Sequence, residues 1–97
     1  MKTFAFHPDA LAELQQQALY YQERSEGLGD RFVAQIEAAA KLAVSMPGIG
    51  SPYKYRTRRV FPKYFRFSVV YREHGEVLWI IAVAAFRRKP GHWRHRQ

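Results

Sequence analysis

Ninety-seven residues, 47% hydrophobic and 25% charged, are enough for one ordinary core and too few for two. The absence of cysteine excludes a disulfide framework and a thiolate metal site, and the longest apolar run, Val77 to Phe86, is about half of a membrane span. The net charge of +8 is placed unevenly: residues 1–50 carry four basic and six acidic side chains, residues 51–97 twelve and two, so a half at −2 adjoins a half at +10. Such segregation is the footprint of a protein that meets a polyanion or an acidic partner, since solubility alone needs no one-sided charge. Met1 to Pro8 lacks a hydrophobic stretch followed by a small-residue cleavage site, so a cytoplasmic protein without membrane attachment is expected.

In chain order, Lys2 to Phe6 alternates Phe4 and Phe6 on one side and reads as a short strand. Pro8 suits a helix start, and Leu11, Leu14, Ala18 and Tyr21 then recur at helical spacing. Ser25-Glu26-Gly27-Leu28-Gly29 interrupts, and a second helix is expected after Asp30 as N-cap, with Phe32, Ile36, Ala39, Ala40 and Ala43 buried. The small alanines suit a close antiparallel hairpin, ended by Met46-Pro47-Gly48-Ile49-Gly50-Ser51-Pro52.

The remainder reads as a β-meander. Tyr55 to Val60 is a basic strand with Arg56 and Arg58 on one face and Arg59 on the other, broken by Phe61-Pro62-Lys63. Phe65, Phe67, Val69 and Tyr71 alternate with Arg66, Ser68, Val70 and Arg72, and Glu73-His74-Gly75-Glu76 is a hairpin turn. Val77 to Phe86 is apolar on both faces, as an interior strand must be, and its second neighbour is the first strand. The expected fold is α+β, in the order β-α-α-β-β-β. It is a small twisted, mainly antiparallel sheet with the helical hairpin on the face of Phe67, Val69 and Tyr71 and a basic surface on the other. The chain forms one domain, 1–97, with a basic C-terminal segment at 87–97 whose Trp93 folds back onto sheet or helices. That segment is expected to be needed for activity and dispensable for folding of the sheet.

No HExxH, glycine-rich phosphate loop, GxSxG or nucleophilic cysteine occurs. His92 and His95 lie three apart and His7 stands alone, without the further ligands of a metal site, so neither metal nor cofactor is expected. The basic residues carry the chemistry instead. Arg56, Arg58, Arg66 and Arg72 are expected to project from adjacent strands, Arg66 away from the helices, with Arg87 and Arg88 leaving the last strand. Guanidinium groups engage phosphate through paired N–H bonds, and Trp93 or His92 could stack on a base. Metal-free RNA cleavage would need a proton-transfer group, His92 or His95, beside such cations. An acidic partner segment on the same arginines is the competing reading.

The order of elements, Gly27-Leu28-Gly29-Asp30-Arg31-Phe32, Val70-Tyr71-Arg72, and Ile81-Ala82-Val83-Ala84 followed by Arg87-Arg88-Lys89-Pro90-Gly91-His92-Trp93 together resemble the RelE/ParE superfamily of bacterial toxins over nearly the whole chain. The resemblance implies a toxin of a type II toxin–antitoxin system, held in a hetero-oligomer by a cognate antitoxin. Its branches imply different targets: ParE-like members poison DNA gyrase, whereas RelE-like members cleave mRNA on the ribosome. For the cleaving branch, Arg58, Arg66 and Arg87 correspond to the sheet cations and His92 to the C-terminal proton-transfer residue. For target or nucleic-acid binding the set is Arg56, Arg58, Arg66, Arg87, Arg88, Trp93 and Arg94. Relatives with this ending often carry His after Ala-Val-Ala and Tyr before Trp, where this chain has Ala85 and His92, and lysines are sparse on its middle strands. The ParE-like branch is therefore favoured, with the mRNA endonuclease and a non-catalytic nucleic-acid-binding module as alternatives.

Overall fold

The computed structural model describes residues 3–89 and 91–97. Met1, Lys2 and Pro90, named in the expectations above, lie outside the described residues. The elements are β1 (Thr3–Phe6), α1 (Pro8–Arg24), α2 (Leu28–Ser45), β2 (Ser51–Tyr53), β3 (Thr57–Val60), β4 (Phe67–His74) and β5 (Val77–Ala85), with 3-10 turns at Lys54–Arg56 and Arg94–Arg96. They build a five-stranded sheet in the order β1-β5-β4-β3-β2, in which only β1 and β5 run parallel. The interior strand and its neighbours are as the two-sided apolarity requires. The sheet gains one strand over the expected order, because Ser51–Tyr53 pairs antiparallel with Thr57–Arg59 at the edge, where Pro52 is tolerated.

α1 begins at Pro8, and the His7 ring Nδ1 accepts the N–H of Asp9 at 3.0 Å in place of a hydroxyl or carboxylate cap. α2 starts at Leu28, so Asp30 lies in its first turn and is not the N-cap. Gly27, in the left-handed region at φ 83°, occupies that position, and Gln22 Oε1 accepts the N–H groups of Gly27 and Gly29 at 3.1 and 3.2 Å. Gly29 is needed for a different reason: a Cβ there would collide with the carbonyl oxygen of Ala18. The glycines let the two helices meet, and the break is confined to Ser25, Glu26 and Gly27, with Leu28 and Gly29 already in the first turn of α2.

The helices cover the sheet face carrying Phe67, Val69 and Tyr71, where Phe32, Ile36, Leu14 and the α2 alanines form the main core. Tyr21, Phe32, Phe65 and Phe67 meet edge-on or tilted, with ring centroids 5.0–5.2 Å apart. The β4–β5 register shifts between Val70 and Tyr71: Val70 faces Ala82, Tyr71 faces Ile80, and Ile81 is the additional residue. The bulge turns both Ile81 and Ala82 to the rear. There they pack with Val70 and Trp93 in a second core cluster, joined by Tyr53 and Trp79. The rear face of β5 is therefore apolar because the C-terminal segment lies on it.

Candidate interaction surface

The arginines expected to form one basic sheet face divide between two places. Arg56, Arg58 and Arg72 line a cavity of about 340 Å³ with Tyr71, Glu73 and Gln97. Arg56 is not in a strand; it follows Tyr55 in the β2–β3 turn, and both have positive φ, at 63° and 61°. Arg58 shares its face with core residue Val60, and its Nη1 donates to the carbonyls of Gly50 at 2.7 Å and Gly48 at 3.3 Å. Its first task is to hold the α2–β2 loop against β3. The Tyr71 hydroxyl does the same from β4, donating to Pro47 O at 2.7 Å and accepting from Gly50 N–H at 3.0 Å. Burial raises its pKa above the ordinary tyrosine value, partly offset by the Gly50 hydrogen bond and by Arg58.

Arg66 and Arg87 stand at the opposite end of β4 and β5. They line an open groove of about 790 Å³ with Tyr20, Tyr21 and Arg24 of α1, floored by Phe67, Ala85 and Phe86. Arg66 precedes β4, so strand alternation does not govern it, and it shares the groove with α1 instead of pointing away from the helices. The Phe86 N–H donates to Arg66 O at 3.0 Å, joining the two flanks. Arg24 lies over the Tyr20 ring at 4.6 Å, an i, i+4 pair whose spacing is visible in the sequence.

The C-terminal segment is built into the fold. Trp93 is 1% exposed and stacks on Tyr53 at a centroid distance of 5.2 Å, which withdraws it from stacking on a base. Tyr55 packs against Gly91, whose φ of 93° and crowded α-carbon suit only glycine, and Arg94 lies 5.3 Å from the Tyr55 ring. Gln97 Nε2 donates to Tyr55 O at 3.0 Å. At the other end, Arg96 donates Nη1 to Glu13 Oε1 at 2.9 Å and Nη2 to Glu13 Oε2 at 3.2 Å, and Nη1 also reaches Ile81 O at 3.1 Å. Glu13 Oε1 accepts the N–H of Val83 at 3.0 Å, and His92 Nε2 lies 3.1 Å from its Oε2. These bonds satisfy the β5 edge beyond the end of β1.

The expectation that this segment is dispensable for folding is corrected by that placement: it fills the rear core and closes an open strand edge. The proposed catalytic set does not converge either. Arg58 lines one cavity, Arg66 and Arg87 line the other, and His92 is engaged with Glu13. Among the described residues no histidine lines either cavity, and no cluster of metal-ligating side chains occurs. Arg87, Arg88 and Arg94 are exposed. Sequence reasoning missed Glu13, although its position three residues after buried Ala10 puts it at the rim of the apolar stripe.

No curated protein matches the sequence as a relative. Among solved structures, a chain described as from the chromosomal ParDE toxin–antitoxin system of P. aeruginosa superposes with a TM-score of 0.72 at 21% identity, over 88% of this chain and 95% of that one, a likeness of fold. The family model for the ParE toxin of the type II toxin–antitoxin system parDE matches residues 4–90. That match takes in both helices, β1 from Phe4 onward, the other four strands and the Arg66–Arg87 groove, and with it the chain belongs to the ParE toxin family.

Proposed function

We propose that this protein inhibits growth by binding DNA gyrase, and that a cognate antitoxin neutralises it by laying an amphipathic segment across the helical hairpin and the sheet edge. The family match carries the toxin reading. The choice of binding over cleavage is supported by the groove at Arg66 and Arg87, which offers cations with no histidine or carboxylate among the residues lining it. Charge alone can stabilise a phosphorane but cannot take the 2′-hydroxyl proton. Exposed apolar side chains on the hairpin, Leu11, Leu19, Leu42 and Met46, support an amphipathic cover. Such wrapping buries on the order of 1,000 Å² or more.

The test is inducible expression with and without the adjacent gene product, followed by a gyrase supercoiling assay and primer extension on translated messages. Growth arrest with blocked supercoiling, intact messages and rescue by the co-purifying neighbour is the expected result. Cut messages with normal supercoiling would replace gyrase with mRNA as target, and absence of any complex would remove the antitoxin.

A further inference from the structure

The β3–β4 loop and the end of β5 present aromatic rings to solvent in a way the fold does not require. Tyr64 is 84% exposed and held at φ 70°, in the left-handed region that a bulky side chain rarely adopts. Phe61 and Phe86 are 46% and 51% exposed and meet edge to face with centroids 5.6 Å apart. Cations are interleaved with the rings along both segments: Phe61, Lys63, Tyr64 and Arg66 on one, Phe86 and Arg87 on the other. The segments are joined by the Phe86 N–H to Arg66 O hydrogen bond, and no acidic residue lines the groove beside them among the described residues.

We infer that this end of the sheet binds single-stranded nucleic acid, with bases stacking on Tyr64 and Phe86 and phosphates paired to Lys63, Arg66 and Arg87. A chain that alternates flat base and anionic phosphate matches a surface that alternates ring and cation. An acidic peptide is the weaker fit, because its carboxylates would pair the cations but it offers no flat base to stack on the exposed Tyr64 and Phe86 rings. A duplex hides its base faces and has no use for an exposed Tyr64. The inference goes beyond the gyrase reading and does not depend on it, since it is tested without gyrase.

The experiment is fluorescence anisotropy on the full chain with labelled twelve-nucleotide oligothymidylate and oligouridylate, a duplex of the same length, and a polyglutamate peptide, each at two salt concentrations. Single strands are expected to bind more tightly than duplex or polyglutamate. Tyr64→Ala and Phe86→Ala should each weaken them about ten-fold, the loss of one base stack. Tyr64→Phe should retain affinity, and Arg66→Ala should weaken binding and flatten the salt slope by about one unit. Lys41→Ala, on the exposed side of α2, removes the same charge elsewhere and should change little. Circular dichroism of each variant separates lost contact from lost fold, and Tyr64→Gly, which relieves the backbone strain, must weaken binding while remaining folded. Single-strand affinity indifferent to Tyr64 and Phe86 would overturn the inference, as would no measurable binding or polyglutamate binding with the same residue dependence. That last outcome would assign the surface to an acidic protein partner.

Discussion

At the scale of single residues, Glu13 and Tyr71 show how a few polar groups hold this small protein together. The Glu13 side chain is 17% exposed and that of Arg96 8%, and the carboxylate accepts from Arg96 and from the Val83 backbone. Glu13→Ala leaves a largely buried guanidinium with only the Ile81 carbonyl and, at 3.7 Å, the Asp9 carboxylate, and leaves the Val83 N–H without its acceptor, so it should cost about 2–4 kcal/mol in a urea-unfolding measurement. Tyr71 joins the α2–β2 loop to β4 through two hydrogen bonds, and Tyr71→Phe should cost about 1–3 kcal/mol because Gly50 N–H and Pro47 O lose their partner. Its pKa in the folded protein is raised by burial, so the folded state holds the phenolic proton more tightly than the unfolded chain. The stability linked to that proton is fully present below the unfolded tyrosine pKa, about 10, and is lost as pH rises through the folded value. Unfolding free energy measured through this alkaline range should therefore fall more steeply with pH for the parent than for Tyr71→Phe.

At the scale of elements, the C-terminal segment and the interhelical turn decide the packing. Trp93 supplies the largest side chain of the rear cluster, and Trp93→Ala should cost about 3–5 kcal/mol by thermal or urea unfolding. Truncation after Phe86 removes Trp93 and Arg96 together, so loss of a cooperative unfolding transition is the expected result. A truncated chain that melts like the parent would overturn this account of the rear face. Gly29→Ala drives a methyl toward Ala18 O, and the helix-propensity gain of alanine does not compensate for separating two helices. A lower melting temperature is expected.

At the scale of the whole molecule, the C-terminal segment straps α1 to the β2–β3 turn across the back of the sheet, leaving two separate basic cavities. Arg66→Ala combined with Arg87→Ala removes exposed charge from the groove without touching the core, so the melting temperature should change by at most a few degrees. Growth inhibition on induced expression should nevertheless weaken if the groove meets the target. Full toxicity of the double variant would move the target surface to the other cavity or to the hairpin.

The amphipathic periods of α1 and α2, the two-sided apolarity of Val77 to Ala85 and the charge asymmetry are local properties, and each was readable because burial imposes a period on sequence. The family was readable from the order of elements together with Gly27 to Phe32, Val70-Tyr71-Arg72, Ile81 to Ala84 and Arg87 to Trp93. The strand at Ser51–Tyr53 was not, because three residues containing proline become a strand only through the partner that pairs with them. The return of Trp93 onto the sheet was expected from its place in the tail, but the fates of Arg58, His92 and Arg96 were equally hidden. A basic, aromatic tail has the same composition whether it is solvated or folded down. What selects between these states is a carboxylate at Glu13, 83 positions away from Arg96, and a vacant apolar face created by the β-bulge at Ile81. Sequence by itself determined which segments bury a face; only the tertiary structure decided which charges are free, because pairing across such separations leaves no trace in local pattern.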